Sequence, residues 1–235
     1  MKFGIGAIAL VVMFAASAVR ADEVHVGTDG EVNVARSVLA AERIALRPGA
    51  SLVLDAGFAD ARVLEAFAGS SIAGNGTLNV DTVTLHAGAT LAPGFSPGTI
   101  RISGDFVAEA GARLLLDFVE NPDGSLSHDL LEIAGLLSGT AEIEILLGGT
   151  AEFTDIVGRS LSTFLVDEAG IGLGGLYDGR AVTVHDAAGR SARYDVVGSI
   201  ITAAAVDPGT PVPAPASLAL LLAATGGLAC MRRAR

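Results

Sequence analysis

The feature that most narrows the fold of this 235-residue chain is a glycine turn that keeps returning. Gly49, Gly69, Gly88 and Gly111 follow one another at steps of 20, 19 and 23 residues. Each sits between two short apolar runs, within Ile44–Leu54, Leu64–Ile72, Val83–Leu91 and Phe106–Leu116. A looser copy, Leu131–Ile145 around Gly139, follows an insertion at Asn121-Pro122-Asp123-Gly124-Ser125. Within the runs apolar and polar residues alternate, as in Val83-Thr84-Leu85-His86, which sends one set inward and the other outward on an extended chain. Glycine at the turn supplies a positive φ that other residues adopt only under strain. One such unit cannot bury its inward face alone, whereas stacking on neighbours makes a continuous core. Regularly spaced short strands also suit a β-sandwich. The repeat length and the absence of a 3.6-residue period instead point to an all-β chain with a parallel β-solenoid over residues 22–147.

From 148 to 206 the pattern changes. Phe153, Phe164-Leu165-Val166, Leu176-Tyr177, Ala181–Val184 and Tyr194–Val197 read as strands joined by turns at Gly170-Ile171-Gly172, Asp178-Gly179 and Gly189. An open solenoid end needs covering, because unpaired strand edges recruit other chains. This segment is therefore expected to be an antiparallel C-terminal cap, with a separate small domain as the alternative.

The two ends read as addresses. Residues 1–21 begin with Lys2, continue as an apolar run from Phe3 to Ala16 and close in small residues, the layout of a helical, cleavable secretory signal with its exit after Ala18 or Ala21. The run is shorter than the roughly 20 apolar residues a membrane span needs. Such a leader implies the Sec translocon and signal peptidase as partners. At the other end a Pro-rich linker over 207–216 finishes in Val212-Pro213-Ala214-Pro215-Ala216. A transmembrane-like helical tail over 217–235 follows, apolar from Ser217 to Met231 and closing on Arg232, Arg233 and Arg235, which belong on the cytoplasmic side. Cys230 lies inside that run and reads as a filler, with palmitoylation as the alternative; the rest of the chain holds no cysteine and so no disulfide.

The order Pro motif, apolar helix and basic end resembles the bacterial PEP-CTERM class of sorting signal, in particular its VPLPA variant, with Ala214 where that variant has Leu. The resemblance implies an exosortase-type transpeptidase that cuts near the Pro motif. It also implies a transient tether to the inner membrane and a final place on the cell surface or in the extracellular matrix of a Gram-negative bacterium. A second resemblance lies in the body. Gly74-Asn75-Gly76-Thr77-Leu78-Asn79-Val80, leading to Leu91-Ala92-Pro93-Gly94-Phe95-Ser96-Pro97-Gly98-Thr99-Ile100, is similar to the G-x-G-T-L strand and L-x-P-G-x-S-P-G-T corner of autotransporter passenger domains and exported PEP-CTERM proteins. It implies rungs of a right-handed β-helix. Taken without the family, Pro93-Gly94 and Pro97-Gly98 are two turn dipeptides, and Ser96 is placed to bond the local backbone.

Five of the 15 Lys and Arg lie before Asp22 or after Val212, so the body from Asp22 to Val212 carries ten arginines against all 26 acidic residues, a net charge of −16. That surface repels phosphate backbones and excludes nucleic acid as a partner. Catalysis needs convergent polar groups. His25, His86, His128 and His185 are far apart and form no metal-ligand pair, and no nucleophile elbow or phosphate loop occurs. Gly27-Thr28-Asp29-Gly30 and Asn121–Gly124 lack the ligand run of a calcium loop and read as turns. No cofactor or metal is expected. The expectation is a noncatalytic surface or matrix protein. The alternative is an exopolysaccharide-binding module or weak polysaccharide lyase or hydrolase, which would bring Asp117, Glu120 and Asp129 towards Arg101 or Arg113.

Overall fold

The computed structural model describes residues 2–5, 21–28, 30–94, 97–167 and 176–203. The first strands are β1 (Lys2–Ile5), β2 (Ala21–Val26), β3 (Glu31–Ala35), β4 (Val38–Leu46), β5 (Ser51–Ala66) and β6 (Ser71–Leu85). Then come β7 (Thr90–Pro93), β8 (Thr99–Ile102), β9 (Asp105–Ala108), β10 (Arg113–Glu120), β11 (Leu126–His128), β12 (Leu130–Ile133), β13 (Leu137–Gly139) and β14 (Glu142–Gly149). A short helix α1 (Phe153–Ile156) precedes β15 (Leu165–Asp167), β16 (Ala181–His185), β17 (Ser191–Val197) and β18 (Ile200–Ala203). The chain is all-β, with a large, mostly parallel and unclosed sheet of solenoid type.

Three parallel ladders follow one another along each coil, and each carries a column of buried apolar side chains. The first stacks Val24, Ile44, Leu64, Val83, Phe106 and Leu137. The second stacks Val32, Leu52, Ile72, Leu91, Leu114, Ile143 and Val182. The third stacks Leu39, Ala59, Leu78, Ile102 and Ile133. All of these residues are buried. At roughly 1.5–3 kcal/mol for each fully buried Leu, Ile, Val or Phe, the columns are the main force holding the coils together. The expected in–out alternation is visible in β5, where Leu52, Leu54, Leu64 and Ala66 point in while Ser51, Val53, Val63 and Glu65 lie nearer the surface. The repeat glycines take the left-handed turn conformation, with φ of 79°, 77°, 80° and 87° at Gly49, Gly69, Gly88 and Gly111.

The change of step from 20 to 19 residues has a local cause. The register between β5 and β6 shifts between Asp55 and Gly57, so Ala56 is an extra residue in the longer coil, at a left-handed φ of 51°. The later insertion at Asn121–Ser125 is the tip of an antiparallel hairpin between β10 and β11. Gly124 N–H donates to Asn121 O at 2.9 Å and Ser125 N–H to Asp123 Oδ1 at 2.9 Å.

Four expectations are corrected. Residues 2–5 of the expected helical leader are extended, and β1 lies parallel to Glu23–Val26, whose outer edge offers unpaired backbone groups. Phe153 is helical rather than extended, because Glu152 N–H donates to Asp155 Oδ2 at 2.8 Å and tightens the first turn. Leu176-Tyr177 also forms a helical turn. Parallel stacking continues past residue 147 through β15 on β12 and β16 on β14, and the antiparallel strand pairing described in this region is that of β16 with β17 and β17 with β18.

Candidate functional site

The outward side chains at the glycine turns line up from coil to coil. Arg47, Phe67, His86 and Glu109 each open a turn, and each backbone N–H bonds the coil before it, to Val26, Leu46, Ala66 and Leu85. Their side chains then stack. The Arg47 guanidinium lies 5.7 Å over the Phe67 ring, Phe67 stacks on His86 at 4.6 Å and 11°, and His86 Nδ1 meets Glu109 Oε1 at 2.9 Å. The His86 contact, aided by the Ala87 amide, holds the Glu109 carboxyl below its ordinary range. Beside this column Arg43 bridges Glu65 and Glu23, with its Nε 2.8 Å from Glu65 Oε2. His86 Nε2 is buried without a hydrogen bond, 3.6 Å from Glu65 Oε1. On the next ladder Arg113 grips Glu144 with two bonds, at 2.8 and 2.6 Å, and His185 Nε2 lies 3.6 Å from Glu144. Sequence reasoning took His86 and His185 for isolated residues. The signal that could have joined His86 to Glu65 and Glu109 is the repeat period, which places them on adjacent coils.

The carboxylates singled out for polysaccharide chemistry are not brought together with their arginines. Arg101 pairs with Glu132, and Arg113 with Glu144. Glu120 accepts a hydrogen bond from Thr150. Asp129 is only 1% exposed and faces backbone instead. Its Oδ1 accepts the Gly98 N–H at 2.8 Å and its Oδ2 accepts the Asp117 N–H at 2.9 Å. Burial raises its pKa to about 6, against the opposing pull of those two amides. Asp129 therefore clamps the Pro-Gly corner to β10. Ser96, expected to bond that corner's backbone, lies outside the described residues. Among the other histidines, His25 Nε2 lies 3.1 Å from Glu23, and His128 edges onto the Phe164 ring at 5.5 Å.

A second arrangement was not legible in the sequence. Between the turn at Gly111 and the start of β16 lies a cleft of about 390 Å³ whose lining includes Thr140, Glu142, Tyr177, Arg180 and Arg193. Tyr177 is 2% exposed, and its hydroxyl has no hydrogen-bond partner of normal geometry. Burial pushes this phenol up to about 12, opposed weakly by Arg180 and the Ala141 amide. The residues come from three separated segments, so no motif announces them.

Among the described residues no group of three or more His, Cys, Asp and Glu could hold a metal ion, and no helix is long and apolar enough to cross a membrane. The sorting residues Val212, Pro213, Ala214, Pro215, Ala216, Arg232, Arg233 and Arg235, together with Cys230 and Ala18, lie outside the described residues. Ala21 is the first residue of β2. Comparison with protein-family models, curated proteins and solved structures finds no match.

Proposed function

We propose that this chain is an exported, noncatalytic protein of a Gram-negative cell surface or extracellular matrix. In this reading it is carried out by the leader at 1–21 and sorted by the tail at 207–235 through an exosortase-type enzyme. The observation that carries the reading is the pair of terminal address segments flanking a repetitive body. The body's geometry supports a structural role. Its aliphatic columns build a self-stacking core, and the charged residues with the best claim to chemistry serve cross-coil pairs and a backbone clamp. The finer assignment is a right-handed β-helix, in keeping with the strong right-handed preference of connections between parallel strands.

Mass spectrometry of the mature protein from its native host tests the sorting. The expected product begins after Ala18 or Ala21 and has lost its tail near Val212–Ala216. A mature protein that keeps residues 217–235 in a host with its exosortase overturns the proposal. Lyase and hydrolase assays test the noncatalytic assignment, which fails if turnover appears and is abolished by Asp117→Ala or Arg113→Ala.

A further inference from the structure

We propose that the cleft lined by Tyr177, Arg180 and Arg193 binds the carboxylate of an acidic sugar, a uronate. The inference goes beyond the sorting reading and does not depend on it, because purified protein can test it whatever the cell does with the termini.

The cleft gathers two arginines at one place on the surface. Arg43, Arg62, Arg101, Arg113 and Arg190 each pair with a carboxylate. Arg180 and Arg193 line one cleft and form no ion pair among the described residues. Among the described residues Arg180 donates from Nε alone, to Leu176 O at 2.9 Å. Arg36, Arg47 and Arg159 also lack a carboxylate partner among the described residues, so what marks this site is that two such guanidinium groups line the same cleft. Planar guanidinium forks match a carboxylate's two oxygens. Tyr177 lines the same cleft, and its buried hydroxyl, which stays protonated far above neutral pH, has a donor proton to give. A buried hydroxyl without a partner is costly to keep, and a carboxylate oxygen in the cleft would satisfy it.

The other lining groups select the rest of the ligand. Glu142 stands at the cleft, and its negative charge also acts on Arg113 on the neighbouring strand. It penalises a dianion such as phosphate more than a monoanionic carboxylate. Glu142 and the Thr140 hydroxyl both accept hydrogen bonds, which suits a ligand whose carboxylate is flanked by hydroxyl donors. A uronate combines the two features; acetate has only the first and glucose only the second.

The experiment is calorimetric titration of the full chain with glucuronate, glucose, acetate and inorganic phosphate near physiological salt. Saturable binding of glucuronate is expected, with the other three at least about tenfold weaker. Arg180→Gln and Arg193→Gln, both at exposed positions, should each weaken glucuronate by about tenfold. Tyr177→Phe should weaken it by about threefold while holding or raising the melting temperature, since it removes an unpartnered hydroxyl. Phe58→Ala, on a strand remote in the register, should change nothing. No saturable heat with glucuronate, or unchanged affinity in both arginine variants, overturns the site. Acetate, phosphate or glucose binding as tightly as glucuronate overturns the assignment to an acidic sugar.

Discussion

The coil passes from its second ladder to its third in two different ways. In β5 and β6 the chain turns the corner without leaving the strand, for 16 and 15 residues respectively. Gly74, at φ 97°, lies against the previous coil so closely that a Cβ would stand 2.1 Å from Leu54 O. One coil later the strand breaks after Pro93, and β8 begins only at Thr99. Gly94, at φ 96°, still donates to Gly74 O at 2.7 Å, but Gly98 N–H finds its partner in the Asp129 carboxylate, more than 30 residues on. The first corner is satisfied by neighbouring backbone alone. The second adds residues and must import a buried charge to satisfy them. At this lengthened corner a later coil supplies the missing acceptor.

The largest effect expected from this contrast is Gly74→Ala. Left-handed strain and overlap with the Leu54 carbonyl together cost roughly 3–5 kcal/mol, read as a lowered urea midpoint. Gly111→Ala, at a similar φ but with its nearest neighbour 3.7 Å away, should cost only about 1–2 kcal/mol. Equal costs would mean that close packing at the first corner is irrelevant.

Asp129→Ala takes the acceptor from two part-buried N–H groups and should cost roughly 1–3 kcal/mol at pH 7, localised by hydrogen exchange to Gly98 and the middle of β10. The same residue imposes a pH dependence. Its folded pKa is raised from 3.8 to about 6, so the folded state binds more protons between those values. The contribution is fully present below about pH 4 and is lost as pH rises through 6, at most roughly 2–3 kcal/mol. Denaturation at pH 4, 5, 6 and 7 should show this fall in the native chain and its disappearance in Asp129→Asn. A native profile parallel to that of the variant would remove Asp129 as the cause.

The smallest effects lie on the surface of the first region. Ala56→Gly relieves a left-handed φ of 51° at an exposed bulge and should stabilise by about 0.5 kcal/mol after the entropy cost of glycine. Arg43→Ala breaks an exposed cross-coil pair and should cost no more than about 1 kcal/mol, less at high salt.

Much of the stack was legible before the structure because its determinants are local and repeated. A turn glycine, an alternating run and a fixed step predict which residues face inward, and Leu52, Leu54, Leu64, Ile72, Val83 and Leu85 are all buried. The C-terminal region was less legible. Phe153 sits among residues that satisfy a strand pattern equally well, and one backbone-to-carboxylate contact at Asp155 tips it into a helix. Asp129 was recognised as a candidate but given a surface role, since nothing in its neighbourhood along the chain marks it as buried beneath a corner 31 residues away.

The period, the inward faces and the turns were determined by the amino-acid order itself, because glycine's conformational freedom and strand alternation act over a few residues. The partners of charged groups were decided only by stacking. Glu65 meets Arg43 and His86, Asp129 meets Gly98, and Glu142, Tyr177 and Arg193 come to line one cleft because coils of unequal length bring distant segments together. Contacts between coils depend on the summed lengths of every intervening insertion, and no local rule carries that sum.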